Sequence, residues 1–308
     1  MAKEVEEAVY FSKPGAYKFN RFLKKFIVYF LLSLVGISIL LPFYIMILTS
    51  TKNVTEMDAV NFIWYVPLKE AFQNGIENYA LAYSKINYGR SVLNTVIVAT
   101  ISTSGTIITT ILAAFAFSRL NFKGRDFLFG VFLTTMMVPG EMFIITNYIT
   151  VGKLGWIGLN ATFFDAILAQ TIPFMTSIFY IYYLRQTFRT IPNELYYAAK
   201  VDGTTDFKYL LKVMIPIASG TIISIAILNA MSSWNAYIWP TLVTNNAKYN
   251  LVTAALRNAS FTVGDTGTRP DYTAQMAAAV MVTLPLLVVF FALKKYIMRG
   301  VSRSGIKG

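Results

Sequence analysis

The chain has no cysteine, no histidine and only 15 acidic residues in 308. Without cysteine there are no disulfides, thiolate nucleophiles or thiolate metal sites. Without histidine there is no His general base, no Ser-His-Asp relay and no zinc site of the Cys/His kind. No G-x-x-x-x-G-K-[ST] phosphate loop occurs either. A chain so equipped takes the energy for any work from elsewhere. Charge is scarce as well: 14% of residues are Asp, Glu, Lys or Arg, where soluble domains carry about a quarter. The absent cysteines carry no information about redox compartment.

Apolar residues fill the space that charge leaves. They make up 56% of the chain, and the mean hydropathy is +0.54. A bilayer core of about 30 Å needs about 20 apolar residues as helix. Six runs meet that length: residues 26–50, 91–117, 127–148, 163–184, 217–239 and 273–293. A soluble fold would have to bury six helices apolar on every side, with little amphipathic surface to cover them. The runs lack period-two alternation, which excludes an outer-membrane barrel. The expected fold class is therefore an all-α membrane protein with six transmembrane helices.

The net charge of +12 invites a nucleic-acid reading until the basic residues are placed. Nineteen of the 27 Lys and Arg lie in residues 1–25, in the short segment after run two, in the loop after run four and in the tail; eight lie in the other three loops. The positive-inside rule puts the nineteen, and both termini, in the cytoplasm. The excess is a topology signal, and no nucleic-acid partner is expected. The N-terminus is not read as a cleavable signal: its apolar run is too long, and Glu4, Glu6 and Glu7 occupy the region that should be positive. Residues 15–25 mix aromatics with Lys and Arg, which suits either a short interfacial helix or a disordered basic leader. The expected domains are an N-terminal segment 1–25, a six-helix domain 26–294 and a tail 295–308.

The loop 185–216 carries the most local information. Pro192 suits a first helical position, and Glu194 sits near the positive end of that helix dipole. Ala198 and Ala199 are small and helix-forming. Gly203, after Asp202, can adopt positive φ and stop the helix. Thr204 or Thr205 can cap the next helix, with Asp206 in its first turn. This reads as helix, tight turn, helix. It fits either a helix that docks in a cleft on a soluble partner or an amphipathic loop lying on the membrane.

The same loop resembles the signature E-A-A-x3-G-x9-I-x-L-P of binding-protein-dependent ABC importer permeases. Ala198, Ala199, Gly203 and Pro216 fall at its spacing, with Val213 and Ile215 as apolar stand-ins. Tyr197 occupies the place of the family glutamate, and Glu194 lies one turn earlier, so the family's salt bridge from that glutamate is not carried over. FAFSRLNFKGRD (115–126), MMVPGE (136–141), WNAYIWP (234–240) and KKYIMRGVSRSGIKG (294–308) resemble, in order, the carbohydrate-uptake permeases of the class that includes the smaller maltose-transporter permease. The resemblance covers roughly residues 20–308.

It implies a type I ABC importer permease fold and a non-catalytic subunit in the cytoplasmic membrane. Its implied partners are a second permease in a heterodimer, two ATPase subunits that bind ATP and Mg, and an extracytoplasmic solute-binding protein. It further implies that residues 192–203 sit in an ATPase cleft, with Glu194, Tyr197, Ala198, Ala199, Asp202 and Gly203 as coupling positions. The tail 299–308 would reach toward the ATPases, and the loop 240–272 would touch the binding protein. No residue of this chain is then expected to be catalytic, to ligate a metal or to hold a cofactor.

Polar residues inside spans face protein, water or solute. Asn229, Ser233 and Tyr237 recur at i, i+4, i+8 on one face of run five, with Trp234 and Asn235 beside them. Gln170 lies beside Pro173, where a kink would free a carbonyl. Amides, hydroxyls and aromatic faces suit a neutral sugar. Small and hydroxyl residues also pack helices in membranes, the simpler reading for Thr95, Ser102, Thr106 and Thr109 of run two. Glu141 is read as a cap on backbone freed by Pro139, Asp165 as interfacial, and Trp239 and Tyr148 as interface anchors.

The expected function is translocation of a sugar or oligosaccharide by alternating access, driven by separate ATPases. The alternative is a self-powered secondary transporter, which calls for inverted repeats and midplane acids. A membrane enzyme ranks last. The identity of the sugar stays open.

Overall fold

A computed structural model describes residues 14–58, 64–158, 160–244, 246–263 and 269–302. Helix α1, Pro14–Ser50, is one continuous helix. The aromatic and basic residues before position 26 therefore extend the first span rather than form a separate interfacial helix. Its apolar stretch is exposed on every side, as expected of a helix bathed in lipid. Only its end, Leu48 to Ser50, is buried. After α2 (Leu68–Lys85) comes α3, Tyr88–Arg119, the longest of the inner helices. The chain ends in α14, Tyr272–Ser302. Parts of α1, α3 and α14 are long and apolar enough to cross a membrane unbroken: Arg21–Ser50, Tyr88–Arg119 and Tyr272–Lys295.

The other three apolar runs are not straight helices. Each is a pair of helices bent at a short break, and the spans number six if each pair counts as one. Run three becomes α4 (Arg125–Thr135) and α5 (Phe143–Lys153), bent by 83° at Pro139 and Gly140. Proline pushes the residue before it out of the helical region, and its ring clashes with the preceding turn. Run four becomes α6 (Phe163–Thr171) and α7 (Ile178–Arg189), bent by 54° around a single 3₁₀ turn that holds Pro173.

Run five opens further upstream than the hydropathy suggests. It starts with α9 (Asp206–Tyr209), widens into a π turn at Leu210–Met214 and passes the short α10 (Ile215–Ile217). It then bends by 79° into α11, Ser219–Asn235. Pro216 has no N–H to donate, and a wide turn just before it avoids the clash with the carbonyl four residues back. The other α-helices among the described residues are α8 (Asn193–Val201), α12 (Ile238–Val243) and α13 (Val252–Asn258). The strand pair β1 (Thr262–Val263) and β2 (Arg269–Pro270) is the only β structure among the described residues.

Helix α3 is the axis of the molecule. It packs along α7 and α11, while α14 packs along α1, α2 and α11. Two apolar clusters sit at its two ends. At the Arg119 end, Ala114 and Phe115 meet Leu184 and Phe188 of α7, Tyr209, Met214 and Ile225. At the Tyr88 end, Ala82 and Ile86 meet Val252, Ala274, Ala277 and Ala278. Ala82, Ala274, Ala277 and Ala278 have no exposed surface, so small residues let α2 and α14 approach closely.

Between the ends, the hydroxyls of α3 repair the break in run four. Thr106 Oγ1 donates to the Phe174 carbonyl at 3.3 Å and Thr109 Oγ1 to the Met175 carbonyl at 2.6 Å. The carbonyls freed where run four breaks are thereby satisfied inside the protein. Gly105 makes room for the same break: a Cβ there would lie 2.6 Å from Met175 Sδ.

Candidate coupling loop and translocation surface

The loop 185–216 folds as helix, turn, helix, hung from the Arg119 end of α3. Helix α8 starts at Asn193, with Pro192 one step outside it as the N-cap residue, so Pro192 is not the first helical position. Glu194 lies in the first turn and is exposed. Asp202 closes the helix, and Gly203 follows at φ +69°, a conformation that favours glycine. Thr205 caps α9, its side chain accepting from the Lys208 N–H at 3.3 Å. Asp206 then ties α9 back to α8. It pairs with Lys200 Nζ at 2.7 Å and accepts from the Tyr196 hydroxyl at 2.7 Å. The Tyr196 ring meets Tyr209 edge-on, 5.2 Å between centroids. Burial first, and the Asp206 carboxylate second, push the Tyr196 phenol up to about 12, so it remains a donor at any physiological pH.

One face of α8 is thus locked to the loop, and the other is bare. Leu195, Tyr197, Ala198 and Asp202 are exposed, and Val201 is 88% exposed. Ala199 is half-buried on the inner side. The six coupling positions expected from the sequence therefore fall on one short helix and its turn, five of them on the exposed side. Tyr197 and Glu194 both face outward.

Helix α8 is tied to the bundle by a residue that the sequence reading treated only as a topology charge. Arg119, 9% exposed at the end of α3, donates to the side-chain oxygen of Asn193 and to the carbonyls of Phe188 and Ile191. Arg185 of α7 points the other way. Its Nε donates to the Phe117 carbonyl at 3.0 Å, its terminal nitrogen meets Asp126 at 3.3 Å, and its guanidinium stacks 3.9 Å over Phe129. A detectable signal existed: an arginine at a helix C-terminus, where carbonyls lack partners and the dipole is negative.

The expected solute-facing residues do not share one surface. A cavity of about 430 Å³ opens between α3, α11 and α14, lined by Val96, Ala99, Thr103, Met231, Trp234 and Pro285 among others. Trp234 lines it, but its indole N–H is already used, donating to the Val282 carbonyl at 3.2 Å. Asn229 sits beside it and accepts from Thr103 Oγ1 at 3.0 Å. Ser233 is half-buried, and Asn235 is exposed with its amide on the Met231 carbonyl.

Tyr237 leaves the expected face. Helix α11 stops at Asn235, and Ala236 is extended before α12 begins at Ile238. Tyr237 is exposed, 5.8 Å below the Arg257 guanidinium. Gln170 lies apart from the cavity, buried in α6 with its amide N–H on the Ala166 carbonyl and its Oε1 without a partner among the described residues. The cavity is mainly apolar, so this half alone offers a neutral sugar few hydrogen bonds.

The in-span acids also differ from expectation in part. Glu141 lies in the one-turn 3₁₀ helix after Pro139 with an exposed side chain, so it does not act as a buried cap. Asp165 closes a capping box with Thr162 at the start of α6. Trp239 is no interface anchor: it is buried, and its indole donates to the Ala169 carbonyl at 3.0 Å. Among the described residues no three Asp and Glu gather as metal ligands.

Comparison with known proteins agrees with this geometry. Residues 105–303 match the family model of the binding-protein-dependent transport system inner membrane component. The chain is 27% identical over 289 residues to the lactose transport system permease protein LacG of Rhizobium radiobacter, covering 92% of this chain and 97% of that one. It is 29% identical over 232 residues to the sn-glycerol-3-phosphate transport system permease protein UgpE of Brucella abortus, covering 75% and 77%. A chain from the crystal structure of a bacterial ABC transporter involved in alginate import has the same fold, with a TM-score of 0.76 at 21% identity over 93% of this chain and 99% of that one. The family match removes the self-powered secondary transporter from consideration. The chain belongs to the binding-protein-dependent transport system inner membrane components: it is a multi-pass, non-catalytic ABC permease subunit, and the ATPase of such a system is a separate subunit.

Proposed function

We propose that this subunit forms half of the pathway of a sugar or sugar-phosphate importer and that α8 is its contact with an ATPase. The observation that carries this reading is the bare outer face of α8, Leu195, Tyr197, Ala198 and Val201. It stands on a helix that Asp206, Tyr196 and Arg119 hold rigidly to the bundle. Apolar side chains exposed on a capped, braced helix suit a partner's cleft. The sugar class is supported by relatives that carry lactose and glycerol phosphate in their names.

In this reading the loop end of α3 and both termini face the cytoplasm, in line with the placement of basic residues. The domains are a leading segment 1–25 that runs on into α1, the six-span domain 26–294 with the coupling loop 185–216, and a tail 295–308 that α14 enters. The partners are a second permease, two ATPase subunits and an extracytoplasmic solute-binding protein, which meets the loop 240–272. Residues 1–13, 59–63, 159, 245, 264–268 and 303–308, parts of these segments, lie outside the described residues. Asn229, Ser233 and Trp234 border the pathway. Gln170 does not border the pathway, because it is buried in α6 away from the cavity.

The test is purification of the tagged chain from its native membranes in mild detergent. Co-recovery of an ATPase subunit and a second permease is expected, with ATP hydrolysis raised by a solute-binding protein. Recovery of this chain alone would sink the assembly.

A further inference from the structure

We infer that Arg119 is the positioning residue through which movement of α8 reaches α3. The inference rests on the reading of α8 as the ATPase contact. Three acceptors, spread from the end of α7 through the connecting segment to the start of α8, converge on this one guanidinium. They are the Phe188 carbonyl at 2.8 Å, the Ile191 carbonyl and the Asn193 side-chain oxygen. The first two lie at or just beyond the C-terminus of α7, and the third is the first residue of α8. All three are neutral, and the negative end of the α7 dipole supplies the electrostatic match. A planar fork can hold three such acceptors in fixed directions, where a lysine ammonium is a point charge on a flexible stem.

The second arginine makes the link two-way. Arg185 of α7 returns a bond to the Phe117 carbonyl near the end of α3 at 3.0 Å and reaches Asp126 at the head of α4 at 3.3 Å. Each helix thus holds the other's C-terminal backbone with its own arginine. Both side chains are buried, at 9% and 5% exposure, so sliding α3 along α7 would strand two desolvated cations. Helices α3 and α7 therefore move together at this end. Asn193 is the point where α8 joins that pair. Beside the Asn193 bond, α8 meets the bundle through Tyr196 and Ala199, which pack against the cluster of Leu184 and Phe188, and it is tied to α9 through Asp206 on its far side.

The experiment uses spin labels in the whole assembled transporter, with Mg–ATP and vanadate as the probe. The chain has no cysteine of its own, so this subunit carries label only at the introduced cysteines. One pair joins exposed Leu112 of α3 to exposed Val288 of α14, and the other joins Val201 of α8 to Val288. In the otherwise unaltered protein both distances should shift on trapping. In Asn193→Ala, which leaves the carbonyl bonds of Arg119 intact, and in Arg119→Lys, the Val201 pair should still shift. The Leu112 pair should lose its shift, and binding-protein-stimulated ATP hydrolysis should fall roughly tenfold. A Leu112 shift that persists unchanged in Asn193→Ala would overturn the inference while leaving α8 as the ATPase contact. A Val201 pair that does not respond to ATP even in the unaltered protein would overturn the ATPase contact itself.

Discussion

The two ends of α3 are held by opposite means. At the Tyr88 end most of the polar groups are short and neutral, with Arg90, whose Nε donates to the Lys248 carbonyl at 3.0 Å, as a long exception. Asn78 of α2 donates to the Ser50 and Lys52 carbonyls at 3.0 and 2.8 Å and accepts from Thr273 at 3.2 Å. Asp271 accepts from the Thr273 and Ala274 N–H groups at the head of α14. Asn94 donates to the Lys248 and Asn250 carbonyls, and Thr95 accepts from the Val252 N–H at 2.8 Å. Each side chain caps backbone a few ångströms away and loses little freedom in doing so. At the Arg119 end two long, charged side chains reach across to carbonyls on neighbouring helices. One end is a set of local pins, and the other is a pair of long tethers. A lever needs both a pivot that resists displacement and a loaded end that transmits it.

Three substitutions test that contrast, beginning with the largest effect. Gly203→Pro forces φ near −65° where the native value is +69° and removes the N–H that donates to the Lys200 carbonyl at 3.0 Å. A cost of about 3 kcal/mol at the turn should cut the binding-protein-dependent part of ATP hydrolysis roughly 100-fold, with membrane insertion unchanged by fractionation. Normal stimulation would show that the turn is not on the coupling route. Asn78→Ala strands buried groups on α1 and α14. It should lower stability by about 2 kcal/mol, read as a melting midpoint in detergent several degrees lower, while the coupling of the folded protein is retained. If Asn78→Ala uncouples as Gly203→Pro does, the distinction between the two ends fails. Trp234→Phe gives up one indole bond to the Val282 carbonyl and should cost only about 1 kcal/mol of stability. A solute KM that rises with no stability change would instead show the indole facing the pathway.

The parts of this protein written in local pattern were legible in advance. The helix–turn–helix of residues 193–209 follows from Glu194, Gly203 and Thr205, whose roles are met within a few residues of each. The thread of hydroxyls on α3 was legible as packing material; its partners were not, because Phe174 and Met175 lie some 66 to 68 residues away in sequence. Tyr237 misled because the i, i+8 spacing assumes an unbroken helix, and the chain turns extended at Ala236. Arg119 and Arg185 were visible only as charge. Counting them toward topology hid the fact that both are buried and hydrogen-bonded to carbonyls.

The sequence alone determined the solvent of this protein, its six apolar runs, the family it resembles and the small helix that projects from it. Those properties depend on hydropathy, period and capping, all read within a turn or two of chain. Only the tertiary structure decided where three of the runs break, which side chains satisfy the freed backbone and which arginine links the projecting helix to the bundle. In hydrocarbon every freed carbonyl must find a donor inside the protein. The donors that answer, Thr106, Thr109 and Arg119, reach their partners only once distant helices have packed.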